Sequence, residues 1–227
     1  YNSCSPIFMD CDDYFNIDIE KTIDFIKKET IFKKGYTLNK KTKKVIKAIL
    51  VVHVFGNAVN LYELKKICKK RNIKILEDAS ESLGTFYKEG TLKNKHTGLV
   101  GDIGCISFNG NKIISSGSGG MLISNKYEYY KKAKYLSTQA KDDSVYFIHN
   151  DIGYNYRLNN LCAAVGLAQM ETLAKKIRKK KIINKYYQKK INDLGELYIN
   201  PTPSYCESNY WLNILRLKKN FHQMIKN

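Results

Sequence analysis

The sequence predicts an α/β fold, in which a β-sheet is flanked by helices. Short apolar runs rich in valine and isoleucine alternate with longer segments whose apolar residues recur at helical spacing. The 227 residues are 43% hydrophobic and 12% aromatic, which is typical of a globular protein with a sizeable core. No apolar run approaches the roughly 20 residues of a membrane-spanning helix, so we expect no membrane partner.

The first half of the chain is expected to alternate strand and helix. Ile19, Ile23 and Ile26 recur at helical spacing, and Asn60 precedes a second periodic segment as a candidate N-cap. The apolar run between these segments suits a strand that is buried on both faces. The predicted elements are a short strand over 6–10 (PIFMD), a helix over 16–29, a strand over 44–56 and a helix over 60–72.

The second half is expected to continue the sheet and then to become helical. A strand over 73–80 runs out at Glu77 and Asp78. Two further strands, over 102–108 and 119–124, flank a stretch of small residues. A buried helix follows, because one helical face collects five apolar residues: Leu158, Leu161, Cys162, Val165 and Ala168.

The last part of the chain is predicted to form a basic helix followed by a domain boundary. The basic helix is expected to end near Leu194, before the turn-rich stretch GELYINPTPSY. We therefore expect a large domain over 1–195 and the start of a small second domain over 196–227.

The net charge of +18 indicates mainly a lysine-rich, solvated surface. Only four of the 39 basic residues are arginine, whereas proteins that read phosphates and bases enrich arginine for its planar fork. We expect no specific nucleic-acid partner, although the basic run from Lys175 could bind polyanions weakly at low salt. The six cysteines form no C-x-x-C pair and no zinc spacing, so a reduced, cytoplasmic protein is expected.

Three polar residues at or just after predicted strand ends are candidates for chemistry, because ligands of α/β sheets gather at the carboxyl ends of strands. Asp78 could hydrogen-bond a cationic ring nitrogen, or it could cap a helix or form a salt bridge. Ser107 and Lys112 follow the next strand, where a lysine amine can attack an aldehyde. The glycines around them indicate by themselves only a tight hairpin between two strands.

Other polar residues are weaker candidates. His53 lies at the end of an apolar run, where it could border a site or satisfy a local backbone group. His149 precedes Asn155 and Arg157, which could bind an anion or form a hydrogen-bonded loop before the buried helix. No histidine pair has the spacing of metal ligands, and the G-x-S-x-G motif of serine hydrolases is missing from the sequence.

Four separated segments, in the correct order, resemble one family. LEDASESLG, GDIGCISFNGNKIISSGSGGMLIS, YLSTQAKDD and IHNDIGYNYRLNNLCAAVGLAQME look like the DegT/DnrJ/EryC1/StrS sugar aminotransferases. The likeness covers essentially the whole chain and is densest from Val51 to Leu173. It implies the large domain of fold type I of the transferases that depend on pyridoxal 5'-phosphate (PLP), with a mixed, mostly parallel sheet.

The resemblance also implies roles for individual residues. Lys112 matches the lysine that binds the cofactor covalently and later moves a proton, and Asp78 matches the acid that pairs with the pyridinium nitrogen. Glu81 sits where many members carry glutamine beside the cofactor ring. Ser107 matches a hydroxyl that binds the cofactor phosphate.

Further residues match positions at the borders of the family's site. Asn155 matches a residue that crosses the interface of a homodimer to the neighbour's cofactor phosphate, with Arg157 nearby. His53, Asn57 and His149 match positions that border the substrate less securely.

The resemblance extends to a subgroup that aminates C4 of a nucleotide-linked 4-keto-6-deoxy-N-acetylhexosamine, with glutamate as the amine donor. Such enzymes serve bacillosamine and legionaminic acid pathways in bacterial surface glycans. Related dehydratases carry histidine in place of the lysine, and Lys112 argues against that chemistry.

Members of the family are longer than this chain. We expect that the N-terminal phosphate loop and most of the small C-terminal domain are missing from it, so that the large domain is incomplete. Two alternatives remain open, a catalytically incomplete fragment and a basic module that binds polyanions.

Overall fold

The computed structural model describes residues 2–143 and 145–217. Among these residues, a four-stranded sheet is accompanied by three two-stranded pairs and five α-helices. The helices are Ile19–Lys28 (α1), Tyr62–Lys70 (α2), Tyr127–Ser137 (α3), Asn160–Glu171 (α4) and Leu173–Asn192 (α5). The strands are Thr30–Lys33 (β1), Tyr36–Asn39 (β2), Ala48–Val52 (β3), Lys74–Asp78 (β4), Phe86–Tyr87 (β5), Ile103–Ser107 (β6), Gly120–Ile123 (β7), Leu197–Ile199 (β8), Cys206–Glu207 (β9) and Leu215–Leu217 (β10).

The central sheet has the strand order β3-β4-β6-β7. β3, β4 and β6 are parallel, with Val52 opposite Asp78 and Asp78 opposite Cys105, whereas β7 runs antiparallel to β6. The predicted mixed, mostly parallel sheet of an α/β fold is therefore confirmed. Because parallel strands end at the same edge, the segments that leave β3, β4 and β6 meet there.

The core lies where α2 packs against the sheet. Ile75 and Glu77 of β4 are buried on one face, whereas Asp78 points to the other face and is half-buried. Leu64 and Cys68 form the buried stripe of α2 and belong to the same hydrophobic cluster as Ile75. The alternation along β4 thus separates a buried carboxylate from one that faces outward.

Both helices predicted in the first half are present, with shorter bounds than expected. The Asp18 side chain accepts a hydrogen bond from the backbone N–H of Lys21 and caps α1. The Asn60 side chain accepts from the N–H of Tyr62 at 3.3 Å, so it contacts the first turn of α2 from just outside the helix. The predicted strands that end at Asp78 and lie on either side of the small-residue stretch are confirmed as β4, β6 and β7.

The strand predicted over 6–10 is wrong. These residues belong to no strand, and an isolated bridge between Cys11 and Ile17 follows directly after them. Phe8 is 89% exposed, so its apolar side chain is not packed into a sheet. An apolar run forms a strand only when a neighbouring segment supplies a row of hydrogen-bond partners. In 6–10 the described structure joins only the Asp10 carbonyl to another backbone group, the N–H of Asp18 at 2.9 Å.

The burial predicted for the helix after Leu158 is also wrong, although the helix itself is confirmed as α4. Asn159 caps it by accepting from the N–H of Cys162 at 2.8 Å. Leu161 is 81% exposed and Val165 is 49% exposed, and no residue of α4 is buried among the described residues. The spacing of apolar residues predicts a helical face, but it does not supply the partner that would cover that face.

Several elements were not predicted. The hairpin of β1 and β2 turns at Lys34 and Gly35, which both have positive φ, as a two-residue hairpin turn requires. α3 and the short strands β5, β8, β9 and β10 were also missed, whereas the long basic helix was predicted and is confirmed as α5.

The division of the chain at residue 195 stays a prediction, and residues 218–227 of the predicted second domain lie outside the described residues. The segment after α5 packs closely on the rest of the chain. β9 pairs with β5, and Cys206 joins the core cluster. Within the described residues, no helix is long and apolar enough to cross a bilayer.

Candidate functional site

Asp78 and Ser107 are brought to the same edge of the sheet. Each is the last residue of its strand, and the parallel pairing of β4 with β6 sets Asp78 opposite Cys105, two residues before Ser107. One carboxylate oxygen of Asp78 accepts from the N–H of Ser80 at 2.9 Å. Burial, and then the negative charge of Asp78, raise the pKa of the Cys105 thiol.

Lys112 lies in the loop that leaves this edge. The loop is closed at its base because the N–H of Phe108 donates to the carbonyl of Gly119 and the N–H of Ser116 donates to the carbonyl of Phe108. A turn within it joins the N–H of Lys112 to the carbonyl of Asn109. The Lys112 side chain is only 13% exposed, so this lysine is held inside the site rather than in solvent.

Two groups face the Lys112 amine. Its Nζ lies 3.9 Å from Oε1 of Glu81 and 4.4 Å from the centre of the Trp211 ring. The other oxygen of Glu81 accepts from the N–H of Phe55 at 2.7 Å, and Phe55 has φ 57°, in the left-handed region. Glu81 is therefore fixed between the turn that follows β3 and the lysine loop.

Glycine at position 120 is required by a close approach of two strands. A Cβ on Gly120 would lie 2.4 Å from the carbonyl oxygen of Ile106, in the strand that ends at Ser107. The preceding Gly119 has φ +90°, and a Cβ there would meet Leu158 at 2.3 Å. The small residues therefore allow the lysine loop to return directly onto β6.

The sequence profile of the DegT/DnrJ/EryC1/StrS aminotransferase family matches residues 1–226. The chain belongs to this family. The fold agrees with it, since PseC, an aminotransferase of Helicobacter pylori involved in the biosynthesis of pseudoaminic acid, superposes with a TM-score of 0.81. That superposition is at 24% identity and covers 98% of this chain and 55% of the other.

Individual relatives are similar over nearly the whole chain. EpsN of Bacillus subtilis strain 168, which is named as a pyridoxal phosphate-dependent aminotransferase, is 34% identical over 218 residues, or 96% of this chain and 52% of EpsN. GDP-perosamine synthase of Escherichia coli O157:H7 is 33% identical over 198 residues, or 87% of this chain and 49% of that protein. The chain therefore spans about half the length of these curated relatives.

His53, a predicted border residue in this family member, lies in the core. It is fully buried, its Nε2 lies 2.9 Å from Oε2 of Glu77, and its Nδ1 accepts from the N–H of Val59 at 3.0 Å. Since Nδ1 is an acceptor, the Nε2–H donates to Glu77. Both ring nitrogens are thus occupied, on the face of β4 opposite to that of Asp78.

Asn57 is buried beside a small cavity of about 10 Å³, enough for about one water molecule. Its Oδ1 has no hydrogen-bond partner within the described part of the chain, and its carbonyl accepts from the side-chain amide of Asn16. Phe55, whose N–H binds Glu81, lines the same cavity. Asn57 thus lies two residues after Phe55, whose N–H holds the carboxylate that faces Lys112.

His149, Asn155 and Arg157 lie together on an exposed segment. Nδ1 of His149 lies 2.7 Å from the carbonyl of Gln139, and Asn155 forms an isolated bridge with Thr138. Across residues 2–143 and 145–217, no hydrogen bond or ion pair joins these three side chains to Lys112 or Glu81. The structure therefore sets Asp78 and Ser107 at one sheet edge and Lys112 beside Glu81. Among the described residues, no hydrogen bond or ion pair joins the side chains of the other predicted residues to these four, and His53 contacts Asp78 only through the backbone, where its N–H donates to the Asp78 carbonyl at 3.0 Å.

Three residues that hold the candidate site in place were not predicted to belong to it. Trp211 follows Asn111 by 100 positions and still reaches it, and Asn209 holds the carbonyl of Glu81. Glu77 organises the loop before β6 by accepting from three backbone N–H groups. No spacing rule connects such distant residues, although Trp211 is the only tryptophan in the sequence.

Proposed function

We propose that this chain carries the PLP site of an aminotransferase that acts on nucleotide-linked keto sugars. The observation that carries the proposal is the Lys112 amine, which is 13% exposed and faces Glu81 at the sheet edge that Asp78 and Ser107 share. PLP requires three kinds of group: a carboxylate for its ring nitrogen, a hydroxyl for its phosphate and an amine for its aldehyde. The residues present therefore fit the cofactor.

The proposed roles follow from the position of each side chain. When bound, PLP supplies an electron sink that stabilises negative charge on the carbon next to the amine. The Asp78 carboxylate holds a proton on the ring nitrogen, and the Ser107 hydroxyl donates to the phosphate. The Lys112 amine would hold the cofactor covalently by condensing with its aldehyde and releasing water, and when free it would accept and return the proton of the reacting carbon. Glu81, anchored by the N–H of Phe55, holds the Lys112 amine on its side of the site.

We propose glutamate as the amine donor and C4 of a nucleotide-linked 4-keto-6-deoxy-N-acetylhexosamine as the acceptor. The similarity to GDP-perosamine synthase and to PseC supports a nucleotide-sugar substrate. The similarity of the motifs to enzymes of bacillosamine and legionaminic acid pathways supports the N-acetylated sugar. Lysine at position 112 favours amine transfer over dehydration.

We further propose that the site is completed in a homodimer. Asn155 and Arg157 are exposed, as residues that reach the neighbour's cofactor phosphate must be. Exposed apolar side chains on the same segment and on α4, among them Phe147 at 65% and Leu161 at 81%, support an interface there. His149 is proposed to contact substrate directly, whereas the buried His53 and Asn57 act only through their neighbours.

Covalent trapping tests the proposed cofactor site. The chain is incubated with PLP, reduced with borohydride and digested, and the adduct is located by mass spectrometry. We expect the adduct on Lys112, together with a visible absorbance band before reduction, and we expect Lys112→Ala to abolish both. Lys66→Ala, an exposed lysine paired with Glu63, is the matched control and should leave both signals unchanged. An adduct spread over surface lysines, with none enriched at Lys112, would sink the assignment.

The two alternatives predict different results. A polyanion-binding module would bind DNA with a steep salt dependence and would give no specific adduct at Lys112. A catalytically incomplete fragment would trap PLP on Lys112 but would not release 2-oxoglutarate from glutamate. The salt titration and the glutamate assay therefore separate these readings from the proposed function.

A further inference from the structure

Trp211 contacts the lysine loop at two points. The face of its ring lies 4.4 Å from Nζ of Lys112, and its indole N–H donates to the carbonyl of Asn111 at 2.9 Å. Only 6% of Trp211 is exposed. The side chain therefore holds both the amine of Lys112 and the backbone of the residue before it.

The position of Trp211 is fixed independently of Lys112. Its N–H donates to Oδ1 of Asn209 at 2.9 Å, and its carbonyl accepts from Nζ of Lys180 in α5 at 3.0 Å. The side-chain amide of Asn209 donates in turn to the carbonyl of Glu81 at 2.8 Å. The same short segment thus sets the position of both groups that face the Lys112 amine.

We propose that Trp211 is a positioning residue for Lys112. The Trp211 ring and the Glu81 carboxylate together form a binding site for the free ammonium group of Lys112, called the seat below. The negative face of an indole attracts a cation, most strongly where water is excluded, and a carboxylate 3.9 Å away adds to this attraction. The seat keeps the amine in the site whenever it is not bound to the cofactor, so that it is in place for the proton transfers. This inference rests on the proposed function of Lys112.

Chemical modification of Lys112 tests the seat without the cofactor reaction. The purified chain is treated with hydroxylamine to remove any bound carbonyl compound and is then modified with limiting acetic anhydride. The rate at each lysine is followed by peptide mass spectrometry. We expect Trp211→Leu to raise the rate at Lys112 about fivefold, since the ring face that holds the ammonium is lost. Trp211→Phe keeps a ring face and should raise the rate only about twofold.

Lys180 serves as the internal control, because it binds the Trp211 backbone and not the ring. Its rate should stay at the wild-type value in both variants. The proposal would be overturned by an unchanged rate at Lys112 in Trp211→Leu. It would also be overturned by a rise at Lys180 equal to that at Lys112 in both variants, because Trp211 would then only stabilise the local fold.

Fluorescence gives a second measurement, because Trp211 is the only tryptophan in the sequence. Lys112→Met removes the charge over the ring and should shift the tryptophan emission, whereas Lys66→Met should not. An identical emission spectrum in Lys112→Met would contradict the seat. A failure of PLP trapping on Lys112 would overturn the proposed function, but it would leave these two measurements unaffected, so the two hypotheses can fail separately.

Discussion

Glu77 gives the sharpest test of how this fold supports its site. The side chain is fully buried and accepts four hydrogen bonds. Oε1 accepts from the N–H groups of Val100, at 2.8 Å, and Gly101, and Oε2 accepts from Gly98 and His53, both at 2.9 Å. Burial raises the pKa of Glu77, but the hydrogen bond from His53 and those from the backbone outweigh it and hold the pKa below its usual value.

Replacing Glu77 by Gln turns one of these oxygens into an amide NH₂ group in either orientation of the side chain. Two of the four donors then lose their acceptor and face another donor. At about 1–3 kcal/mol for each buried unsatisfied donor, we expect a loss of about 4 kcal/mol in the free energy of unfolding. Neither of the two orientations of the glutamine restores all four contacts.

Urea unfolding, followed by fluorescence, measures this loss as a lower midpoint at an unchanged slope. Glu63→Gln is the matched control, because Glu63 lies on the surface, where its pair with Lys66 is solvated, and its midpoint should barely move. A loss below about 1 kcal/mol in Glu77→Gln, within the range of an ordinary substitution, would refute the argument that this carboxylate holds the loop before β6.

Two further predictions concern the surroundings of the site. Gly120→Ala should lower the free energy of unfolding by about 1–3 kcal/mol in a urea titration, because its Cβ would meet the carbonyl oxygen of Ile106 at 2.4 Å. Gly110→Ala, with no atom within 4 Å of its Cβ, should be nearly neutral, and equal effects of the two would contradict the close approach. Burial lowers the pKa of His96, whose Nε2 accepts from the N–H of Gly84, so its stabilising effect is present above about pH 6.5 and is lost as the pH falls below that. The melting temperature should therefore fall more between pH 7.5 and pH 5.5 in the wild type than in His96→Gln. An equal fall in the two proteins would count against this role of His96.

Much of the candidate site could be predicted from short stretches of the sequence. The run that ends at Asp78 is largely apolar and bounded by polar residues, and the glycines after Lys112 permit the tight turn that follows. Each of these signals is carried by residues that are close together along the chain. The ends of the predicted strands indicated Asp78, Ser107 and Lys112, and the four motifs together identified the family and added Glu81.

The sequence by itself determined the α/β class, the strand that ends at Asp78 and the loop that carries Lys112, because each follows from residues that are near one another in the chain. It also determined the family, because four such local motifs occur in the correct order. Only the tertiary structure decided which apolar segments are covered, and so it leaves 6–10 outside the sheet and the face of α4 exposed. It also decided that Trp211 covers the lysine. Burial and side-chain contact depend on partners that are far apart in the sequence, and the spacing within one segment carries no information about them.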